Sequence, residues 1–424
     1  MLDQRLLPRE SDLKGLRPEK TTLPCGNPLY LFHSPSVDIL KLDFLFGAGS
    51  AVQPKPLCAG LARDMLLDAS PSHTVSYVAE QFDRLGVVID RQSTSFSTKL
   101  SVYTLKKYTP QVFPLLCDLL SNPLFGSDEF DVLIAKRRQT LLTDQMKTSA
   151  VARNLFLQTL YGTSHPYGRF AVPGDENKIS LDEVRMFAKE RLSLDNATLI
   201  LSGNYDGETL KLIDSCFGSS EKSAELNFHN NIVPNPDSPK HKKVRRQIQS
   251  SVQSTLRIGR ILPIEWHDPD YPMFIILNTV LGGYFGSRLM SNIREDKGYT
   301  YGVNSFTNMM RDSSVFCIST DVANDAVDAA CDEIYKEIDI LRHQPVPDDE
   351  LSLVCNYMAG DFLRSIDGIF ERSERFYTML DANVDERFTT NYFQALRTVT
   401  PEKLMAMADA ILSQSDLTEV IVGA

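Results

Sequence analysis

Two side chains seven residues apart, Arg294 and Tyr301, are the most chemically suggestive pair in this sequence. The run Arg294, Glu295, Asp296, Lys297, Gly298, Tyr299, Thr300, Tyr301 reads as the end of a helix that opens near Ser287, a left-handed cap at Gly298 and the start of a strand. Such a turn presents a guanidinium and a phenol on one side of the chain. Both are hydrogen-bond donors suited to a carbonyl oxygen, and both bind it more strongly as negative charge develops there. Taken alone, the pair also fits an arginine at a helix C-terminus and a tyrosine packed on a sheet.

The remaining reactive residue types are scattered. The seven histidines (His33, His73, His165, His229, His241, His267, His343) never fall four apart, so no helix turn offers two imidazoles to a metal. His165, in a His-Pro-Tyr-Gly loop, reads as a hydrogen-bonded structural residue. Seven cysteines (Cys25, Cys58, Cys117, Cys216, Cys317, Cys331, Cys355) include no Cys-x-x-Cys pair, the pattern of reduced thiols in a cytoplasmic protein. No G-x-S-x-G elbow supports a serine hydrolase, and the glycines Gly282, Gly283 and Gly286 sit in no phosphate-binding motif.

Composition narrows the partners. A net charge of −11 disfavours nucleic acid and anionic membrane, both of which select basic surfaces. The one basic run, His241, Lys242, Lys243, Arg245 and Arg246, follows a Pro/Asn-rich stretch and reads as the solvated end of a linker. No stretch has the length and continuous apolarity of a signal peptide or a membrane span.

The elements that position these residues come in two copies. A chain of 424 residues exceeds what one core usually serves, and its halves match. SLDEVRMFAKERLSLDNATLILSG, from Ser180, lies over TPEKLMAMADAILSQSDLTEVIVG, from Thr400, at a constant offset of 220. Each copy reads as an N-capped amphipathic helix followed by a strand, with Glu183 or Glu402 in the first turn. A second helix, SDEFDVLIAKRRQTLL, has its counterpart in PDDELSLVCNYMAGDFL, both opened by acids. PLYLFHS, ILKLDFLFGAG and STKLSVYTL alternate as half-buried strands do, and SSVQSTLRIGRIL and DSSVFCISTDV repeat the pattern. The expected fold is α+β: two tandem homologous domains, residues 1–220 and 244–424, each a mostly antiparallel sheet packed against helices. A linker is expected over 221–243, with the hinge between Gly218 and Lys243.

Two segments carry a family signal: FGAGSAVQPKPLCAGLARDMLLDAS and LGGYFGSRLMSNIREDKGYTYGVNSF. With HPYGRFAVPGDENKISLDEVRMF and the duplication, they resemble the insulinase or pitrilysin family of zinc peptidases, which includes mitochondrial processing peptidase. The resemblance runs from about Pro28 to Gly423. In that family G-L-A continues as H-x-x-E-H, whose histidines bind zinc while the glutamate activates water. Here Gly60, Leu61 and Ala62 are in place, but Arg63 stands at the first histidine, Leu66 at the glutamate and Leu67 at the second histidine. These positions share one face of a helix by their spacing, yet two leucines and a fixed cation offer zinc no donor. The family's later glutamate ligand falls on Asp144, which is expected either to pair with Arg63 or to be a solvated helix residue.

The resemblance also implies roles for the second half. In active relatives an arginine and a tyrosine with this R-E-x-x-G-x-x-Y spacing reach across to the zinc site and bind the substrate backbone, and Arg294 and Tyr301 match them. Some relatives divide the labour between two chains, one with the zinc helix and one with this pair. The chain thus resembles a non-catalytic, zinc-less subunit, half of a clamshell around extended peptide. It is expected to hold no cofactor, with zinc in a related partner subunit and proteolysis only in the heterodimer. A purely structural or peptide-binding scaffold is the alternative.

Overall fold

The computed structural model describes residues 13–218, 242–249 and 251–423. Residues 221–241, most of the expected linker, lie outside the described residues, and His229 and His241 with them. The first half runs β1 (Glu19–Thr22), β2 (Pro28–His33), β3 (Ile39–Phe46), α1 (Cys58–Met65), α2 (Val75–Leu85), β4 (Val88–Ser93), β5 (Thr98–Leu105), α3 (Thr109–Ser121), α4 (Ser127–Asp144), α5 (Thr148–Tyr161), α6 (Leu181–Arg191), β6 (Ala197–Gly203) and α7 (Gly207–Phe217). The second half runs β7 (Lys243–Gln247), β8 (Gln253–Ile261), α8 (Tyr271–Asn278), β9 (Thr300–Met310), β10 (Ser313–Ala323), α9 (Val327–His343), α10 (Asp348–Arg364), α11 (Ile369–Asp381), α12 (Arg387–Thr398), α13 (Pro401–Ile411) and β11 (Thr418–Gly423).

Each half is built on one sheet. Strand order is β1-β2-β6-β3-β5-β4 in the first and β7-β11-β8-β10-β9 in the second. All neighbours are antiparallel except β2 with β6 and β7 with β11, so the single parallel pairing recurs at the same place in both copies. The α+β expectation is met. Ser180 and Glu183 form the reciprocal capping box at the start of α6, and Thr400 accepts from the Lys403 amide at the start of α13. Of the basic run read as a linker end, Lys243, Arg245 and Arg246 lie instead on edge strand β7. There Lys243 pairs with Glu419 at 3.2 Å and Arg245 with Asp328, so adjacent acids offset part of its charge.

Alternation along β3 and β5 suggests strands with one solvated face, but both faces of β3 are almost wholly buried. One face meets the helices of its own half, with Phe44, Phe46, Leu100 and Val102 in that core. Covering the other is α11, which comes from the second half and packs Tyr377 against Phe32, Leu45 and Ile200. The exchange is reciprocal. Helix α5 of the first half lays Val151, Phe156 and Leu160 on Ile261, Val420 and Val422 of the second sheet. Polar residues of the alternation thereby become buried charges: Lys41 and Lys99, each 1% exposed, donate to Glu374 of α11 at 3.1 and 2.7 Å, and Lys41 also pairs with Asp43 at 3.1 Å. Among the described residues no helix is long and apolar enough to cross a membrane.

Candidate functional site

The positions that correspond to a zinc helix lie on and just beyond α1. The helix is only eight residues long: Leu66 is already its C-cap and Leu67 lies in the following turn. From Leu66 on the chain tightens into i→i+3 turns, with Leu66 N–H on Arg63 C=O and Asp68 N–H on Met65 C=O, so of positions 63, 66 and 67 only Arg63 lies within the regular α-helix. The cause is apolar. Met65, Leu66 and Leu67 are all buried in the first core, and three consecutive inward side chains exceed what one helical stripe accommodates.

Arg63 is mostly buried, and its Nε and Nη2 donate to Oδ1 of Asp64 at 2.8 and 2.6 Å. Arg137, from α4, donates to the other oxygen of the same carboxylate. Asp144 stands at the end of α4, half-exposed, and accepts from Lys147 at 3.0 Å. The carboxylate that neutralises Arg63 is thus Asp64, and Asp144 is the solvated residue of the two readings. Neither Asp64 nor Arg137 was flagged by the sequence. The one available signal was the Arg-Asp dipeptide inside the motif.

Alkyl side chains and a guanidinium whose donors are already engaged have no lone pair for a metal. These residues do not fit zinc. Among the described residues no group of three or more His, Cys, Asp and Glu is arranged to hold a metal ion. His165 caps the turn Pro166–Gly168 by accepting from the Tyr167 amide at 3.2 Å and stacks on Tyr161, a structural role.

The second set of residues is presented differently. After α8 the chain makes two π-helical segments, Thr279–Gly283 and Met290–Asp296, the second carrying Arg294. Its i→i+5 bonding shows at the end, where Lys297 N–H donates to Asn292 C=O at 2.9 Å. Gly298, at φ +65°, turns the chain out in the expected left-handed cap, and Tyr299 N–H closes it onto Ile293 C=O at 3.0 Å. The helix limits and the cap were legible, but the π winding was not.

Arg294 lays its guanidinium over the Phe285 ring, 4.8 Å from the centroid, and no carboxylate pairs with it among the described residues. Tyr301 follows on β9 at a bulge, where Tyr301 and Gly302 together face the single residue Asp321 of β10. Unpaired in the ladder, Tyr301 is 93% exposed, with no hydrogen-bond partner for its hydroxyl among the described residues. The base of the site is rigid. Asn278 Nδ2 donates to Ser305 C=O at 3.2 Å, Ser305 Oγ donates to Asn278 C=O at 3.1 Å, and Gly282 lies so close to Ser305 that a Cβ would come within 2.6 Å of it.

Two sheet-and-helix halves carry, in the first, no metal donor at positions 63, 66 and 67 and, in the second, an arginine without a carboxylate partner beside an exposed tyrosine. Comparison with known proteins shows what the chain is similar to. Residues 178–358, which include Arg294 and Tyr301, match the family described as Peptidase M16 inactive domain. A Bacillus subtilis protein described as an uncharacterized zinc protease, YmxG, is 22% identical over 84% of this chain and 86% of its own length. Two solved structures share the fold. One is a peptidase M16 inactive domain from Pseudomonas fluorescens, with TM-score 0.82 and 20% identity over 96% of this chain and 98% of that one. The other is a protease from Helicobacter pylori, with TM-score 0.84 and 18% identity over 99% and 100%. The chain thus resembles that family in sequence over residues 178–358 and shares the fold of these two structures over nearly its whole length.

Proposed function

We propose that this chain is the zinc-less subunit of a two-chain M16-type peptidase, binding extended peptide and lending Arg294 and Tyr301 to the zinc site of a related partner. The carrying observation is that these two groups keep their donors unspent. A guanidinium held without a carboxylate and a phenol 93% exposed are free to donate to a carbonyl that gains negative charge. Strand β4, at the edge of the first sheet and beside the turn that follows α1, offers an unpaired backbone on which an extended peptide adds a strand. Water activation would belong to the partner, since Leu66 occupies the place of the glutamate. Seven free thiols fit a reducing compartment such as the cytoplasm.

The test is to express this chain and a related chain bearing H-x-x-E-H separately and together, and to follow cleavage of an unstructured peptide. Cleavage by the mixture that exceeds that of either chain and falls at least tenfold with Arg294→Ala supports the proposal. Equal cleavage by the partner with and without this chain points instead to a structural or peptide-binding scaffold. Zinc-dependent cleavage by this chain alone overturns both.

A further inference from the structure

Arg375, on α11, is a largely buried arginine whose Nε has no hydrogen-bond acceptor and whose guanidinium has no carboxylate partner among the described residues. An aromatic ring holds it instead. The guanidinium lies over Phe362 of α10, 4.2 Å from the centroid, and burial keeps its pKa below the ordinary arginine value. Covered on one face, it keeps the donors along its edge for a ligand.

Arg375 lines a cavity of about 370 Å³ together with Glu371, one helical turn back on α11. An acid and a base in this order, four residues apart on a helix, ordinarily pair. Here no ion pair joins them: Arg375 is drawn onto Phe362, and Glu371 stays exposed near the start of the helix with no partner among the described residues. Two opposite charges thus share one cavity without meeting. Glu374, the other acid on its wall, is already engaged by Lys41 and Lys99. Met309, Met379, Val384 and Phe388 supply an apolar lining. The cavity is remote from the arginine and tyrosine described above, since Met309 stands eight residues beyond Tyr301 on β9, about 26 Å along an extended strand.

A ligand that satisfies this lining carries a carboxylate for Arg375, an ammonium for Glu371 and apolar bulk beside them. An apolar amino acid or dipeptide in its zwitterionic form is that combination. A fatty acid would leave Glu371 unpaired against it, and an apolar amine would do the same to Arg375.

We propose that this cavity binds short apolar zwitterions, leucine-like amino acids or their dipeptides, with Arg375 on the carboxylate and Glu371 on the ammonium.

Isothermal titration calorimetry on the full chain tests this with L-leucine, leucyl-leucine, N-acetyl-leucine, which lacks the ammonium, and leucinamide, which lacks the carboxylate. The wild type should bind at least one of the two zwitterions, and each capped form at least tenfold more weakly. Arg375→Leu and Glu371→Gln should each weaken the zwitterion by roughly tenfold or more, Arg375→Lys should retain part of the affinity, and Glu371→Gln should no longer distinguish leucine from N-acetyl-leucine. Arg375 has no partner to lose and Glu371 is exposed, so both variants should melt close to the wild type, which separates lost binding from lost folding. No binding of either zwitterion up to about 10 mM, or equal binding by the wild type and Arg375→Leu, overturns the proposal. Equal binding of leucine and N-acetyl-leucine by the wild type overturns the role of Glu371 and with it the assignment to zwitterions.

Discussion

Arg63 and Asp64 are neighbours in sequence and partners in space: the guanidinium donates two hydrogen bonds to one oxygen of the carboxylate, 2.8 and 2.6 Å long. With Arg137 on the other oxygen, Asp64 ties α1 to α4. The stitch is local and electrostatic, and the leucines after it belong to the core.

Restoring the motif should therefore fail to restore the site. The triple variant Arg63→His, Leu66→Glu, Leu67→His is expected to bind no stoichiometric zinc by elemental analysis, because the helix ends at Met65 and Asp144 is engaged with Lys147. A glutamate at the buried position 66 should also lower stability by about 3 kcal/mol or more, read as a shift in the urea midpoint.

The two aspartates should behave differently. Asp144→Ala removes a half-exposed pair with Lys147 and should change stability by less than about 0.5 kcal/mol. Asp64→Ala leaves two mostly buried guanidinium groups facing each other and should cost roughly 1–3 kcal/mol. Equal effects in chemical denaturation would contradict this assignment of partners.

Glu374 closes the buried charge cluster between the halves. Burial by itself would raise its pKa, but the hydrogen bond from Lys99 and the charges of Lys41 and Lys99 outweigh that and hold it below the usual carboxylate range. Burial likewise disfavours the Lys41 ammonium, yet Asp43 and Glu374 hold its pKa above the ordinary lysine value. A depressed acid stabilises the fold above its unfolded pKa and loses that contribution as pH falls through the folded one. A raised lysine stabilises below its unfolded pKa and loses that contribution as pH rises through the folded one. The contributions of Glu374 and Lys41 should thus both be present between about pH 5 and 10, while Asp43, whose pKa burial raises, offsets part of them as it ionises. Because the Glu374 side chain is 43% exposed, solvent screens part of the pairing, and Glu374→Gln should destabilise the protein in that window by about 1–2 kcal/mol, with the difference from wild type shrinking in acid denaturation scans.

Thiol labelling should report the packing. Burial pushes Cys58, Cys317 and Cys355 up to about 11 and Cys331 up to about 12. At pH 8 iodoacetamide should modify the half-exposed Cys117 and Cys216 first and reach those four only after unfolding, as peptide mass mapping would show. Labelling of native Cys58 or Cys317 at the rate of Cys117 would contradict the burial described.

The duplication, the capped helices α6 and α13 and seven of the strands (β2, β3, β5, β6, β8, β10 and β11) could be read from the chain because each is encoded locally, by a cap or by alternation. What escaped notice depends on distant residues. ILKLDFLF looks like a strand with a wet face, and only α11, more than 300 residues later, makes Lys41 and Asp43 buried ions. Helix α1 seemed long enough for an i, i+4 pair, whereas the demand of the core for Met65, Leu66 and Leu67 together ends it early. Arg294 and Tyr301 were identified by spacing, but the Phe285 stack and the bulge that frees Tyr301 arise from tertiary packing.

The exchange of α5 and α11 has a consequence for how the molecule is assembled. Each copy of the duplicated unit lends the other the lid of its own sheet, so a fragment ending before the connecting stretch would expose the bare face of β2, β3 and β6 to water. Neither fragment is a self-sufficient module. Produced together, the severed pieces would be obligate companions, each recruiting its missing layer from the other.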